Sequence, residues 1–263
     1  MDLELTDKIA LVTGGTGGIG LEIARSLSLE GAAVTITGRS QQKLDDAIAD
    51  INASGGKPVA GVVADVATAE GAAAVTAALP TIDILINNLG IYESKPFGDI
   101  SDADWTNIFD VNVLSGVRLS RAYLPAMLER NWGRIIFISS ESGLAVPQDM
   151  IHYGMTKTAQ LAIARGLSQL TRGTNVTVNS VLPGPTRSDG VVEFLRSQAA
   201  DPAAPIDQIE AEFFRDARPS SIIQRMIEAK EIGDMVAYIA SPRASATNGA
   251  SIRAEGGLVN TIA

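Results

Sequence analysis

Ile9-Ala10-Leu11-Val12-Thr13-Gly14-Gly15-Thr16-Gly17-Gly18-Ile19-Gly20 is the stretch on which the reading of this chain turns. Its first residues are an apolar, strand-like run, and a helical pattern, Leu21 to Glu30, follows it. Glycines between strand and helix permit a tight turn. They also let backbone N–H groups and the positive end of the helix approach a pyrophosphate. Two spacings are satisfied at once: Gly15, Gly17 and Gly20 fit GxGxxG, while Thr13, Gly14, Gly18 and Gly20 fit TGxxxGxG. Placement after a first strand and before a helix favours a dinucleotide-binding turn over a flexible linker. Thr13, Gly14, Gly15, Thr16, Gly18, Ile19 and Gly20 are the residues expected against such a cofactor.

Outward from this turn, short β-branched runs alternate with longer helical patterns. Val34–Thr37, Val59–Ala64, Ile84–Asn87, Ile135–Ser139, Val176–Val181 and Ala250–Ala254 read as further strands. That rhythm predicts an α/β fold: a Rossmann-like, doubly wound parallel sheet of about seven strands with helices on both faces, in three layers. Ser40 is a helix-start signal, and Ser101 with Asp104 forms a capping-box pattern ahead of Trp105 to Val113. Pro125 is expected to kink the next helix. From Pro185 to about Lys230 the alternation stops, and a stretch with Pro202, Pro205, Pro219 and the pair Phe213–Phe214 takes over. Its apolar residues suggest a lid that folds down over the active site. One domain over residues 1–263 is expected, with this excursion at about 185–230.

Composition narrows the function classes. With 46% apolar and 19% charged residues the chain is an ordinary globular one. A net charge of −9, with no block of Lys or Arg, argues against nucleic acid and anionic membranes as partners. The early acids Asp2, Glu4 and Asp7 are the reverse of a basic leader, and no long apolar run suggests a membrane span, so a cytoplasmic location is expected. There is no cysteine, and His152 is the single histidine, which leaves neither a thiolate nucleophile nor a Cys- or His-rich metal site. No metal is expected. Chemistry must come from hydroxyls, amines, carboxylates or an organic cofactor.

The second strand should end near Gly38, where folds that select NAD usually present a carboxylate to the ribose 2′-hydroxyl. No carboxylate stands there. Gly38 leaves room and Arg39 offers a guanidinium suited to a 2′-phosphate, so NADP(H) is the preferred reading, with NAD(H) possible if Arg39 only stacks on adenine.

Tyr153 and Lys157 stand four residues apart, thirteen after Ser140. Residues at i and i+4 share one helix face, so a phenol and an ammonium can act on one ligand. An adjacent Lys⁺ favours the phenolate and brings the proton, normally lost near pH ~10, into play. Ser140 closes a buried strand and would lie at the carboxyl edge of the sheet, where open α/β folds bind ligands.

TGxxxGxG, the turn Asn87-Asn88-Leu89-Gly90, Asn112, Ser140, Tyr153 and Lys157 together resemble the short-chain dehydrogenase/reductase family, including its 3-oxoacyl reductase-like members, from about residue 5 to 257. The resemblance implies that Tyr153 is the general acid/base and that Lys157 lowers its pKa and binds the nicotinamide ribose. It implies that Ser140 holds the substrate oxygen and that Asn112 anchors a water in a proton relay. It also implies cofactor contacts at Asp65, Val66, Asn88, Gly90, Pro183, Gly184, Thr186 and Ser188, and a homo-oligomer, dimer or tetramer, built through the helices. The sequence departs from the family pattern at Leu89, where many relatives have alanine, and at Glu255-Gly256-Gly257, where many have Asp-Gly-Gly.

The scheme implied is hydride transfer between NADPH and a carbonyl, or the same path reversed from an alcohol. Tyr92, Glu141, Ser142, Gln148, Met150 and Met155, with Val191–Leu195 and Phe213–Phe214 of the lid, are the expected walls for a small-molecule substrate. Glu141 reads first as a solvated loop acid and second as an acceptor for a substrate hydroxyl. His152, about 100° around the helix from Tyr153, reads as a packing or surface residue. Three functions stay open: an NADPH-dependent ketoreductase, with 3-oxoacyl substrates as one class; a dehydrogenase of a small secondary alcohol, sugar or cyclic alcohol; and a non-enzymatic cofactor sensor. An acyl-carrier partner would call for rim cations, for which Arg130 and Arg172 are available.

Overall fold

The computed structural model describes residues 1–262, the side chain of Asp189 excepted. In chain order its elements begin β1 (Ile9–Val12), α1 (Gly18–Leu29), β2 (Ala33–Gly38), α2 (Gln41–Asn52), β3 (Ala60–Val63), α3 (Ala69–Ala78), β4 (Ile84–Asn87) and α4 (Asp102–Phe109). A π-helical turn, Asp110–Leu114, then leads into α5 (Ser115–Glu129), β5 (Gly133–Ile138), α6 (Ile151–Leu170) and β6 (Val176–Pro183). The remainder is β7 (Thr186–Arg187), α7 (Asp189–Gln198), α8 (Ile206–Asp216), β8 (Ile227–Glu228), α9 (Ala229–Ala240) and β9 (Ser251–Ala254).

Among the described residues one sheet has seven strands in the order β3-β2-β1-β4-β5-β6-β9. Every pairing in it is parallel, with Val12 opposite Ile36 on one side and Ile86 on the other. The central strands are buried along their whole length because helices cover both faces, which is why they read as continuous apolar runs. The chain winds one way from β1 to β3 and the other way from β4 onward. Between the carboxyl ends of β1 and β4 the connections diverge, and this is the crevice where such sheets bind ligands. One apolar core lies under α1, α2 and α9, around Ile23, Leu27, Ile36 and Val236. The opposite face packs Leu119, Tyr123, Phe137 and Val178.

The helix signals act as the sequence predicts. Ser40 caps α2 through the Lys43 N–H, and Ser101 and Asp104 form a reciprocal capping box at α4. Pro125 lies inside α5, which runs on to Glu129. The excursion after Pro185 is rooted by the β7–β8 pair, Thr186 beside Ile227, and its helices α7 and α8 enclose a small core of Leu195, Ala204, Ile209, Phe214 and Met226.

Candidate functional site

The turn after β1 is locked to the end of β4 by side chains. Thr13 Oγ1 donates to the Ile86 carbonyl (3.2 Å) and accepts from the N–H groups of Asn88 and Leu89 (3.0 Å each). Asn88 Nδ2 donates to the carbonyls of Thr13 (2.9 Å) and Gly14 (3.1 Å). A Cβ at Gly20 would strike both Asn88 Nδ2 and the Gly14 carbonyl, so only glycine lets α1 start this close to the turn. Gly18 has φ +53°, a left-handed conformation open to glycine. The N-cap of α1 is Gly17, which has no side chain to cap the helix, so its leading N–H groups face the crevice without a side-chain partner. This is a cradle suited to a pyrophosphate.

At the end of β2, Gly38 has no space for a side chain: a Cβ there would lie 2.5 Å from Thr16 Cγ2. Arg39 is exposed beside it. Val66 is buried after β3, and Asp65 Oδ1 turns back onto the Ala67 N–H (3.1 Å). Pro183 and Gly184 end β6, where Thr186 Oγ1 donates to the Gly184 carbonyl (2.9 Å). Ser188 caps α7 through Val191, with its Cβ 3.4 Å from a Cβ placed on Gly18.

A cavity of about 620 Å³ runs from this cradle to the foot of α7 and α8. Ser140, Tyr153 and Lys157 all line it, together with Gly14, Gly18, Asn88 and Gly184. The π-helical turn presents Asn112 on the flank. Its side chain accepts from the Ile91 N–H (2.8 Å) and donates to the Ile91 carbonyl (2.9 Å) and Thr156 Oγ1 (3.0 Å).

Lys157 Nζ donates to the Ile138 carbonyl (2.9 Å) and approaches Gln160 Oε1 (3.4 Å), while Gln160 Nε2 donates to the Asn112 carbonyl (2.6 Å). Gln160 thus bridges lysine and asparagine. The sequence reading missed it, although its position three residues after Lys157 on one helix face is a signal. Burial pushes the Lys157 ammonium down to about 8, against the opposing charge of Glu141. The Tyr153 ring is partly exposed to the cavity, yet burial pushes its hydroxyl up, Glu141 adds to the rise and contact with Ser140 pulls the other way. Lys157 Nζ sits 5.6 Å from the centre of the Tyr153 ring. In the protein alone, desolvation therefore outweighs the pull of Lys⁺ that the i, i+4 spacing suggested.

Ser140 Oγ accepts from the Ser142 N–H (3.1 Å) and donates to a Glu141 carboxylate oxygen. Glu141 is buried, which corrects its reading as a solvated acid. Its other oxygen accepts from Ser142 Oγ (3.2 Å) and faces Arg218 Nε at 3.9 Å. Arg218, beyond α8, gave no signal in the sequence; the excursion alone brings it here.

Of the expected substrate walls, Tyr92, Glu141, Ser142 and Met150 line the cavity and Gln148 and Met155 do not. Met155 is two positions after Tyr153, some 200° around α6, so it turns away. Gln148 lies in an exposed stretch after Pro147. His152 is buried with its ring 5.9 Å from that of Trp105, the packing alternative of the two. Arg130 donates to the Ile82 carbonyl just before β4, and Arg172 follows the far end of α6, so both lie at the opposite edge of the sheet from the cavity.

The family model for short chain dehydrogenases matches residues 8–199. The chain belongs to the short-chain dehydrogenase family. Within it, the chain is 47% identical over its whole length to the whole of the uncharacterized oxidoreductase YvaG of Bacillus subtilis. It is 31% identical to the 3-oxoacyl-[acyl-carrier-protein] reductase FabG of Escherichia coli, over 95% of this chain and 97% of that one. Among solved structures, L-sorbose reductase of Gluconobacter frateurii, complexed with NADPH and L-sorbose, superposes with a TM-score of 0.93 over all of both chains, at 26% identity. The protein is thus an oxidoreductase of the short-chain dehydrogenase type, with the Rossmann-like sheet of that family. Among the described residues no helix is long and apolar enough to cross a membrane, and no cluster of metal-ligating side chains occurs.

Proposed function

We propose that the protein is an NADPH-preferring ketoreductase, in which Tyr153 is the proton donor. The observation that carries this reading is the convergence of Ser140, Tyr153 and Lys157 on one wall of a cavity whose other end is the glycine cradle. Gly14, Gly18 and the uncapped start of α1 would hold the pyrophosphate, with Thr186 and Ser188 beyond it toward the nicotinamide. Bound there, the nicotinamide supplies the hydride. Tyr153 gives its proton to the carbonyl oxygen; in the protein alone burial holds the phenol in its protonated form. Ser140 orients the same oxygen. Lys157 would turn its ammonium from the Ile138 carbonyl to the ribose, with Gln160, itself held by the Asn112 carbonyl, beside that ammonium.

Preference for NADP(H) is supported by the blocked Gly38 position and the exposed Arg39, which is available to a 2′-phosphate. Arg130 and Arg172 at the far edge speak against an acyl-carrier protein docking at the cavity mouth. Apolar Leu144 and Val146, exposed ahead of α6, support assembly as a homo-oligomer. The test is Tyr153→Phe. It should lower kcat by about 10²–10⁴-fold, while NADPH titrated by nicotinamide fluorescence binds as tightly as before. A variant that keeps more than a few per cent of its turnover would remove Tyr153 from the role.

A further inference from the structure

Glu141 is a second feature of the wall that the scheme above does not use. It is a carboxylate, 6% exposed, directly beside the serine expected to hold the reacting oxygen. A carboxylate only accepts, so in the contact between them Ser140 donates its one hydrogen to Glu141, while its own oxygen accepts from Ser142 and lies against the Tyr153 hydroxyl. In this state Ser140 has no proton to offer a carbonyl. The other Glu141 oxygen accepts from Ser142 Oγ at 3.2 Å, while Arg218 Nε stands at 3.9 Å, too far for a hydrogen bond, so that oxygen keeps a lone pair for a further donor. A hydroxyl group, being donor and acceptor together, fits both needs.

We infer, on the basis of the ketoreductase reading, that the substrate is an α-hydroxy ketone, whose hydroxyl binds Glu141 and thereby frees the Ser140 proton for the neighbouring carbonyl oxygen. Adjacent oxygens of such a ketone lie within one hydrogen-bond length of each other, as do Ser140 Oγ and the Glu141 carboxylate. Arg218 Nε can donate to the same hydroxyl. In the reaction the carbonyl carbon gains hydride from the reduced nicotinamide and the oxygen gains the Tyr153 proton. The C=O π bond is lost, a vicinal diol forms, the nicotinamide is oxidised and solvent restores the proton of Tyr153.

The alternatives fare worse on the same wall. A plain alkyl ketone would cover Glu141 without adding a donor for its remaining lone pairs. A carboxylate or phosphate substrate would meet the like charges of Glu141 and Asp149, opposed by Arg218 and, beside Tyr153, by Lys157. The remaining walls, Phe194, Leu195, Phe213 and Met226, suit an apolar body on the far side of the carbonyl.

A matched series tests this: 2-hydroxyacetophenone, acetophenone and benzoylformate share one phenyl body and differ in a hydroxyl, a methyl hydrogen or a carboxylate beside the carbonyl. The wild-type protein should show kcat/KM at least about 100-fold higher for 2-hydroxyacetophenone than for acetophenone. Glu141→Ala should cut kcat/KM for the hydroxy ketone about 30-fold or more, and so collapse its preference over acetophenone; Glu141→Gln, whose amide oxygen still accepts, should keep part of that preference. NADPH affinity by fluorescence and far-UV circular dichroism establish that each variant is folded. Equal use of the first two ketones by the wild type, a parallel loss of both in folded variants, or a preference for benzoylformate would each overturn the inference. Tight NADPH binding with no turnover of any of the three would overturn the ketoreductase reading and this inference with it.

Discussion

At the cradle end of the cavity the wall is mostly main chain, held by Thr13 and Asn88 to the centre of the sheet; at the other end it is side chains carried on α7 and α8, which share only a small core of their own. The first region has almost no conformational freedom to lose. Its hydrogen bonds are buried or partly buried, and Gly20 is packed against the Gly14 carbonyl. The second is rooted by two β-bridge pairs and by Arg187, which reaches Glu210 at 2.6 Å and Glu228 at 3.1 Å. Chemistry common to many substrates can rest on the rigid end, and discrimination among substrates on the end that can be rebuilt without touching the sheet.

The sharpest way to break this comparison is to make one substitution in each region. Phe137 in β5 and Phe214 in α8 are both fully buried, and either change to alanine should cost about 3–5 kcal/mol where it acts. Phe137→Ala should lower the global unfolding free energy by that amount in urea. Phe214→Ala should instead strip hydrogen-exchange protection from residues 186–228 while moving the global transition far less. Equal losses of global stability would mean that the two regions unfold as one.

A pH series comes next. In the cofactor-free protein the Lys157 value of about 8 lies below its ordinary 10.5, so the folded state releases the proton first. Below about pH 8 both states hold it and the folded state bears the whole cost of a buried charge; from about pH 8 to 10.5 stability should climb, by up to roughly 3 kcal/mol. Lys157→Met should flatten that climb in melts followed across the range. Above pH ~10 the raised Tyr153 works the other way, because the unfolded phenol ionises first.

Two smaller effects separate cofactor from substrate. Arg39→Ala should weaken NADPH by about 10–100-fold and NADH hardly at all, the loss expected of one charge-assisted contact. Equal weakening of both would remove the case for phosphate recognition. Arg187→Ala should cost the excursion about 1 kcal/mol, since its side chain is partly solvated. It should appear as a few-fold rise in substrate KM with NADPH binding unchanged.

How far the sequence could be read follows the same division. The strands were legible because parallel sheets bury both faces, so Ile84–Asn87 reads the same in one dimension as in three. The glycine turn and the Ser140–Tyr153–Lys157 trio were legible because their geometry is local or fixed by a strand end. Gln148 and Met155 were misplaced because loop direction and helix phase, not nearness in sequence, decide what faces a cavity. Arg218 was invisible: it reaches Glu141 from 77 residues away, through an excursion with no periodicity that fixes its position. Glu141 was legible as a residue and misread as an environment, since nothing in a loop sequence states that the loop is buried.

The stitching of Thr13 and Asn88 bears also on the order in which the molecule assembles. Those contacts span 75 residues, so the phosphate cradle cannot close until β4 has docked beside β1. Loop closure over that distance delays such contacts relative to local helices. A refolding chain should therefore recover its helical signal before it recovers affinity for the cofactor, which makes NADPH a reporter of the last part of the sheet's centre to set.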